Sequence, residues 1–274
     1  MKPPRVRVTK ISGAGNDFIV LGPAELREAG VSPSEWSCKV CRRGVSVGAD
    51  GLLVVEPQGD DRVRVAFYNP DGSSAFCGNG SCCAARYAHL KGMAGTTMVL
   101  ETDWGEVPAH IRGEGVQLQL PPPEDRGTVE LSVGAETVTG RLIEAGVPHF
   151  VVHANRPAEA PLDRWGPALR RHDRFGERGA NIDLIGPVVD GQATIRTWER
   201  GVEGETLACG SGALAAAHTI RLAGGAETVR LIPKSGRTIE VSLPGPPERP
   251  DHARLVGDAR VIFEGEIGPA AWID

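Results

Sequence analysis

Two stretches of the sequence carry the residue types needed to move a proton on and off carbon. Residues 77–92 read CGNGSCCAARYAHLKG and residues 209–224 read CGSGALAAAHTIRLAG. In each, a cysteine stands directly before Gly-x-Gly, and the small, Ala-rich run that follows predicts a helix. Cys209 follows Cys77 by 132 positions, and the match carries through Gly80/Gly212, Ala84/Ala216, Leu90/Leu222 and Gly92/Gly224. A helix start offers N–H groups without intrahelical partners and about half a positive charge. It favours a thiolate, lowering a cysteine pKa from its reference of about 8.5. It also binds carboxylates, and glycine lets their oxygens approach the backbone. Two such units opposed across one carboxylate predict that one thiolate removes an α-proton and the opposite thiol returns one, inverting the carbon. The helix N–H groups stabilise the charge that moves into the carboxylate.

Other polar residues gather near these turns. Glu199 and Arg200 stand ahead of Cys209 as Asn69 stands ahead of Cys77, and an arginine there suits bidentate binding of a carboxylate. His149 near one thiol and Glu199 near the other would set one cysteine as thiolate and its partner as thiol. Asn16, Asn69, Asn79 and Asn181 are turn residues that, as a set, could hydrogen-bond an amino-acid substrate. Cys38 and Cys41 lie one helical turn apart with no second ligand pair at zinc spacing, so they are read as packing residues and no metal is expected. Cys82 and Cys83 have no counterparts in the second copy, where Leu214 and Ala215 stand, and are also read as packing residues.

The elements that must hold these turns are short. Arg5–Ile11 alternates like a half-buried strand, and a glycine turn leads into Phe18–Leu21. Ser32 with Pro33 and Glu35 predicts a capped helix running through Cys41 to Gly44. Strands are expected at Leu52–Glu56, Arg62–Tyr68, Thr97–Thr102, Val107–Arg112 and Val116–Leu120, with the first cysteine helix from about Gly80 to Lys91. Pro121–Pro123 reads as a linker. Beyond it, strands are expected at Thr137–Glu144, Phe150–His153, Ile182–Ile185 and Ala193–Trp198. A helix is expected over Leu162–His172, capped by Asp163. The second cysteine helix, a hairpin of Val229–Pro233 with Thr238–Leu243, and a final strand Arg260–Glu264 complete the chain. The repeat is wider than the helices: Gly15–Val20 aligns with Gly146–Val151, and Gly48–Asp50 with Gly179–Asn181, each 131 positions apart. This is read as an ancient duplication that left two α/β lobes with approximate two-fold symmetry.

Composition narrows the function classes. The chain has 274 residues, enough for two domains, and its 36 Gly and 21 Pro favour many short strands. A net charge of -5 without a Lys/Arg cluster argues against nucleic-acid binding. No apolar run is long enough to span a bilayer, and the N-terminus lacks the apolar core of a signal peptide, so a cytoplasmic protein with reduced thiols is expected.

At GAGNDF (13–18), GADGLLVV (48–55), NPDGSSAFCGNG (69–80), GVPHFVV (146–152), GANID (179–183) and WERGVEGETLACGSGA (198–213), the sequence resembles the diaminopimelate epimerases, over essentially its whole length. The resemblance implies a cofactor-independent isomerase that interconverts LL- and meso-2,6-diaminopimelate for lysine and peptidoglycan synthesis, in an α/β (α+β) fold. It implies two pseudo-symmetric lobes, each a curled mixed sheet around a central helix: residues 1–121 with a returning strand in 258–274, and residues 122–257. Cys77 and Cys209 would be the acid/base pair, and Gly78, Asn79, Gly210 and Ser211 would bind the reacting carboxylate. Asn16, Asn69, Asn181, Glu199 and Arg200 would contact the rest of the substrate, and His149 and Glu199 would poise the thiols. A homodimer is expected. The chain departs from the family at Gly51, where many members carry Gln, and at Val147, where they carry Asn; both side chains would touch substrate. Cys82 replaces the usual Arg, and the Asn69-to-Cys77 segment is one residue shorter than usual. Relatives of the proline racemases and a thiol-based redox or metal-binding module are the competing readings.

Overall fold

The computed structural model describes residues 5–272. The chain divides into two compact units, one made of residues up to Leu118 together with those from Gly257 onward, the other of Gln119–Val256. In the first unit, strand Arg260–Ile267 pairs antiparallel with Val6–Gly13, which pairs antiparallel with Asn16–Leu21. The sheet continues parallel to Gly51–Gly59, antiparallel to Arg62–Tyr68 and parallel to Thr97–Thr102. It ends with two antiparallel steps, to Gly105–Arg112 and Gly115–Leu120. In the second unit, Glu124–Val133, Glu136–Glu144 and Pro148–His153 pair antiparallel in turn. Asn181–Ile185 then adds parallel, Gln192–Glu199 antiparallel and Thr228–Ile232 parallel, followed by antiparallel Ile239–Ser242 and Ala253–Asp258. The two units thus run through the same order of parallel and antiparallel steps, the topology of a duplicated α+β lobe.

Each sheet is built on one helix. Gly78–Leu90 packs against six strands of the first unit, and Gly210–Leu222 against six of the second. A helix covered on so many sides cannot be amphipathic, and both are accordingly rich in Gly, Ala and other small residues, buried at Gly80–Ala85 and at Gly212–Ile220. Small side chains let the strands approach closely. A satellite core in the first unit, including Trp36, Val40, Leu52 and Trp272, anchors the helix Pro33–Val40. In it the Trp36 and Trp272 rings meet edge-on, 5.8 Å apart.

Several local expectations are corrected. Helix Pro33–Val40 begins as expected, with Ser32 Oγ accepting from Glu35 N at 3.2 Å, but it ends at Cys41 because the chain turns there. Helix Leu162–Arg170 has Pro161 at its cap, with no side-chain cap bond from Asp163. It continues through Gly166 and Pro167, and the Trp198 ring lies against Gly166 where a Cβ would stand, so a side chain there would clash. Helix Pro23–Ala29 and strand Glu124–Val133, neither signalled by strong periodicity, are additional elements.

Candidate active site

Each cysteine is the N-cap of its helix, in nearly the same backbone conformation: φ -136 and ψ 110 at Cys77, φ -136 and ψ 117 at Cys209. Cys77 Sγ accepts from Gly80 N at 3.3 Å, and Cys209 Sγ from Gly212 N at 3.4 Å. In the first unit, nothing lies within 4 Å of where a Cβ at Gly78 would stand, so the backbone there is open to a ligand oxygen. Asn79 is buried and donates to Asn16 Oδ1 at 2.7 Å. Asn16 in turn donates to Asp50 Oδ2 at 3.2 Å, and Arg43 holds Asp50 Oδ1 at 2.8 Å. This brings Asn16 and Asn79 together at the start of the first helix. Asn69 holds the turn before Cys77, bonding Ser73 Oγ at 3.0 Å and accepting at its carbonyl from Ser37 at 2.6 Å.

In the second unit His149, Asn181, Ser211 and Cys209 are hydrogen-bonded together. His149 Nδ1 is 2.7 Å from Asp183 Oδ2, and its Nε2 is 3.0 Å from Ser211 Oγ and 3.2 Å from Asn181 Nδ2. Asn181 Oδ1 accepts from Arg200 N at 2.7 Å. Ser211 Oγ lies 3.4 Å from Cys209 Sγ. Sequence reasoning passes over Asp183. It reads as one residue of a buried apolar strand, yet its side chain has no exposure and binds both His149 and Thr197. The only signal is a carboxylate in the run NIDLI.

At Cys209 burial and charge work against the helix start. Burial is the largest effect and pushes the thiol pKa well up, and the nearby Glu199 and Asp183 carboxylates push it further. The Ser211 hydroxyl and Gly212 N–H act in the opposite direction and do not balance them. These effects favour the thiol form of Cys209. Arg200 is pulled below its ordinary value, first by burial and then by its neighbours Arg170 and Arg178, a cluster of like charge that an added anion would relieve. Cys41 is pushed up to about 11 and Cys82 to about 12 by burial, which fits packing roles. Among the described residues, no group of three or more His, Cys, Asp or Glu side chains could hold a metal ion.

The two half-sites differ at equivalent positions. Strand pairing places Phe18 beside Gly51 in the first unit and His149 beside Asn181 in the second, so Asn181 matches Gly51 rather than Asp50, one residue off the sequence alignment. Two residues on, Leu53 pairs with Phe67 and Asp183 with Thr197. A Cβ on Gly80 would stand 3.4 Å from Leu53 Cδ2, whereas one on Gly212 would stand 2.6 Å from Asp183 Oδ1. The trio Phe18, Leu53 and Phe67 thus matches His149, Asp183 and Thr197: at these three positions the first half is apolar and the second hydrogen-bonded. Gly51 also has its explanation. A Cβ there would stand 2.2 Å from Phe67 Cε2, so the Phe67 ring fills the space a glutamine side chain would need. Val147, the other departure, is half-buried in the turn before His149, its carbonyl accepting from Ala145 N at 3.0 Å.

Comparisons with known proteins agree with this arrangement. The family model for diaminopimelate epimerase matches residues 8–124 and 141–248. A diaminopimelate epimerase of Hydrogenobaculum sp. is 37% identical over 95% of this chain and 98% of its own length. One from Aquifex aeolicus is 37% identical over 94% of this chain and 96% of its own. Among solved structures, a probable proline racemase from Agrobacterium radiobacter superposes with a TM-score of 0.72 at 18% identity, covering 97% of this chain and 95% of that one. That likeness is one of fold, and the sequence relationship is the more specific. With twin cysteine-capped helices in a duplicated lobe and near-full-length matches to such relatives, the chain belongs to the diaminopimelate epimerase family.

Proposed function

We propose that the protein interconverts LL- and meso-2,6-diaminopimelate, in the formation of lysine and peptidoglycan precursors, with Cys77 and Cys209 as its acid/base pair. The observation that carries this reading is the pair of thiols at two helix starts of matching backbone conformation. In one direction the Cys77 thiolate takes the α-proton, the C–H electron pair moves toward the carboxylate, and the Cys209 S–H protonates the opposite face. Cys209 suits the donor role because burial and two carboxylates hold it as a thiol. In the other direction the roles exchange. Backbone N–H groups at Gly78, Asn79, Gly210 and Ser211 hold the reacting carboxylate, as helix starts do. Asn16, Asn69, Asn181 and Glu199 contact the remainder, and Arg200 takes the second carboxylate. His149 and Glu199 tune the thiols. The residues of the site supply the proton transfers themselves, and no cofactor takes part in the scheme.

Incubating the enzyme with LL-diaminopimelate in deuterated water, without added cofactor, is expected to place deuterium on the α-carbon and yield the meso isomer. Replacing Cys77→Ala or Cys209→Ala is expected to abolish epimerisation; full turnover by either variant would overturn the two-thiol scheme. We further propose a cytoplasmic homodimer. Among the described residues no helix is long and apolar enough to cross a membrane. On the returning strand, Val261, Ile262 and Phe263 are 38%, 54% and 42% exposed, an apolar run that a second copy would cover.

A further inference from the structure

The hydrogen bonds around Cys209 form a chain whose donors and acceptors can all be assigned. Arg200 N–H donates to Asn181 Oδ1, which turns the Asn181 amide nitrogen toward His149 Nε2. An amide nitrogen only donates, so Nε2 carries no proton. The imidazole proton is therefore on Nδ1, where it is donated to Asp183 Oδ2. Asp183 Oδ1 accepts from Thr197 Oγ1 at 2.6 Å, so both carboxylate oxygens are held. Ser211 Oγ, also within reach of Nε2, shares that nitrogen's single lone pair with the Asn181 amide, and its own lone pairs face the Cys209 S–H. His149 and Asp183 are wholly buried, so the chain is shielded from solvent along this stretch.

We propose that Asp183 is a positioning residue that makes His149 the acceptor of the Cys209 thiol proton, relayed through the Ser211 hydroxyl, so that Cys209 can act as a thiolate. The inference rests on the two-thiol reading above and extends it to a residue outside the substrate contacts. In the step, the Cys209 S–H bond breaks and its proton bonds to Ser211 Oγ. The Ser211 O–H proton bonds in turn to His149 Nε2, which gives up its hydrogen bond from the Asn181 amide and donates to Ser211 Oγ, and the electron pair stays on sulfur. The products are a thiolate and an imidazolium, and the number of bound protons is unchanged. The Asp183 carboxylate stabilises the imidazolium at 2.7 Å. A dedicated acceptor is needed because the charged groups that act on Cys209, Glu199 and Asp183, both oppose a thiolate there. The groups facing His149 are Asp183, Asn181 and Ser211, of which only Asp183 is charged.

The test is the pH dependence of the full-length enzyme with each isomer. Internal transfer conserves protons, so wild-type kcat/KM is expected to be flat near neutrality. Asp183→Asn keeps the hydrogen-bond acceptor for His149 but removes the counter-charge, so Cys209 must lose its proton to solvent. Its kcat/KM is expected to fall at least ten-fold at pH 7.5 for both isomers, within the reach of acid–base catalysis. Its logarithm should then climb with a slope near one up to about pH 9.5, as thiolate fraction does. Ser211→Ala, which breaks the relay at its middle, should show the same slope, and the double variant should lose no more than either single one. A profile for Asp183→Asn parallel to wild type would overturn the relay, as would additive losses in the double variant. A faster Asp183→Asn enzyme would also overturn it, because the carboxylate would then act only by repelling the thiolate. Inactive wild-type enzyme on diaminopimelate would instead sink the functional reading itself, so the two failures are distinguishable.

Discussion

Replacing Gly51→Ala tests how the first half-site is packed. The new Cβ would stand 2.2 Å from Phe67 Cε2, 2.9 Å from Phe67 Cζ and 2.9 Å from the Tyr68 carbonyl oxygen. Carbon atoms rest about 3.5–4.0 Å apart, so the ring must move by more than an ångström while the strand backbone cannot. Phe67 is only 9% exposed and meets Phe18 edge-on at 6.0 Å, so its displacement also disturbs that aromatic pair. Overpacking of this kind costs about 1–3 kcal/mol, and loss of the ring pair about 0.5–1.5 kcal/mol. Removing glycine from a strand returns about 0.5–1 kcal/mol. The net expectation is a destabilisation of about 0.5–4 kcal/mol, and a mid-range loss of about 2 kcal/mol lowers the melting temperature by roughly 4–8 °C at about 2–4 °C per kcal/mol. Phe67→Leu should open the space, so that adding Gly51→Ala in that background costs at least about 1 kcal/mol less than in wild type. Thermal unfolding of the four proteins, followed by calorimetry and circular dichroism, measures the coupling. A Gly51→Ala protein that melts with wild type, or strictly additive losses, would refute the claim that the Phe67 ring occupies this space.

Two further predictions concern the thiols and the returning strand. With burial pushing Cys41 up to about 11 and Cys82 to about 12, both are thiols at pH 8. Cys209 is raised for the same first reason, so iodoacetamide should modify all three slowly in the folded protein and faster as pH rises. Peptide mass spectrometry reads this, and rapid alkylation of Cys82 at pH 8 would contradict the burial. For the proposed homodimer, Phe263→Asp should shift the protein toward monomer in sedimentation velocity at micromolar concentration, and an unchanged sedimentation coefficient would remove this strand from the interface.

Much of the fold and the site could be read in the sequence because both depend on local pattern. A cysteine before Gly-x-Gly and an Ala-rich run define a capped helix without reference to anything distant, and the repeat makes the two visible together. What escaped depends on contacts between residues far apart in the chain. Asp183 looks like one more member of a buried strand, because its partners His149 and Thr197 lie on neighbouring strands, 34 and 14 positions away. Gly51 looks like a lost substrate contact until Phe67, on the adjacent strand, is seen to take up its space. Asp163 carries a capping side chain by type, but the chain enters that helix through Pro161, so the cap bond never forms. At Cys209 the helix start and Glu199 were legible, whereas the burial that outweighs the helix start and the Asp183 carboxylate were not.

The contrast between Phe18, Leu53 and Phe67 on one side and His149, Asp183 and Thr197 on the other has a consequence for why such a protein is one chain. Two identical half-length chains would have to carry the same residues at both cysteines, and each substitution would alter both at once. Joining the halves covalently lifts that constraint. One copy was free to carry Phe18, Leu53 and Phe67 and the other His149, Asp183 and Thr197, while the shared topology kept both cysteines at matching helix starts. Inverting a carbon requires that, at any instant, one group gives and the other takes. In the proposed two-thiol scheme, fusion lets that inequality be written into the polypeptide, where a symmetric pair would have to reach it by chance protonation.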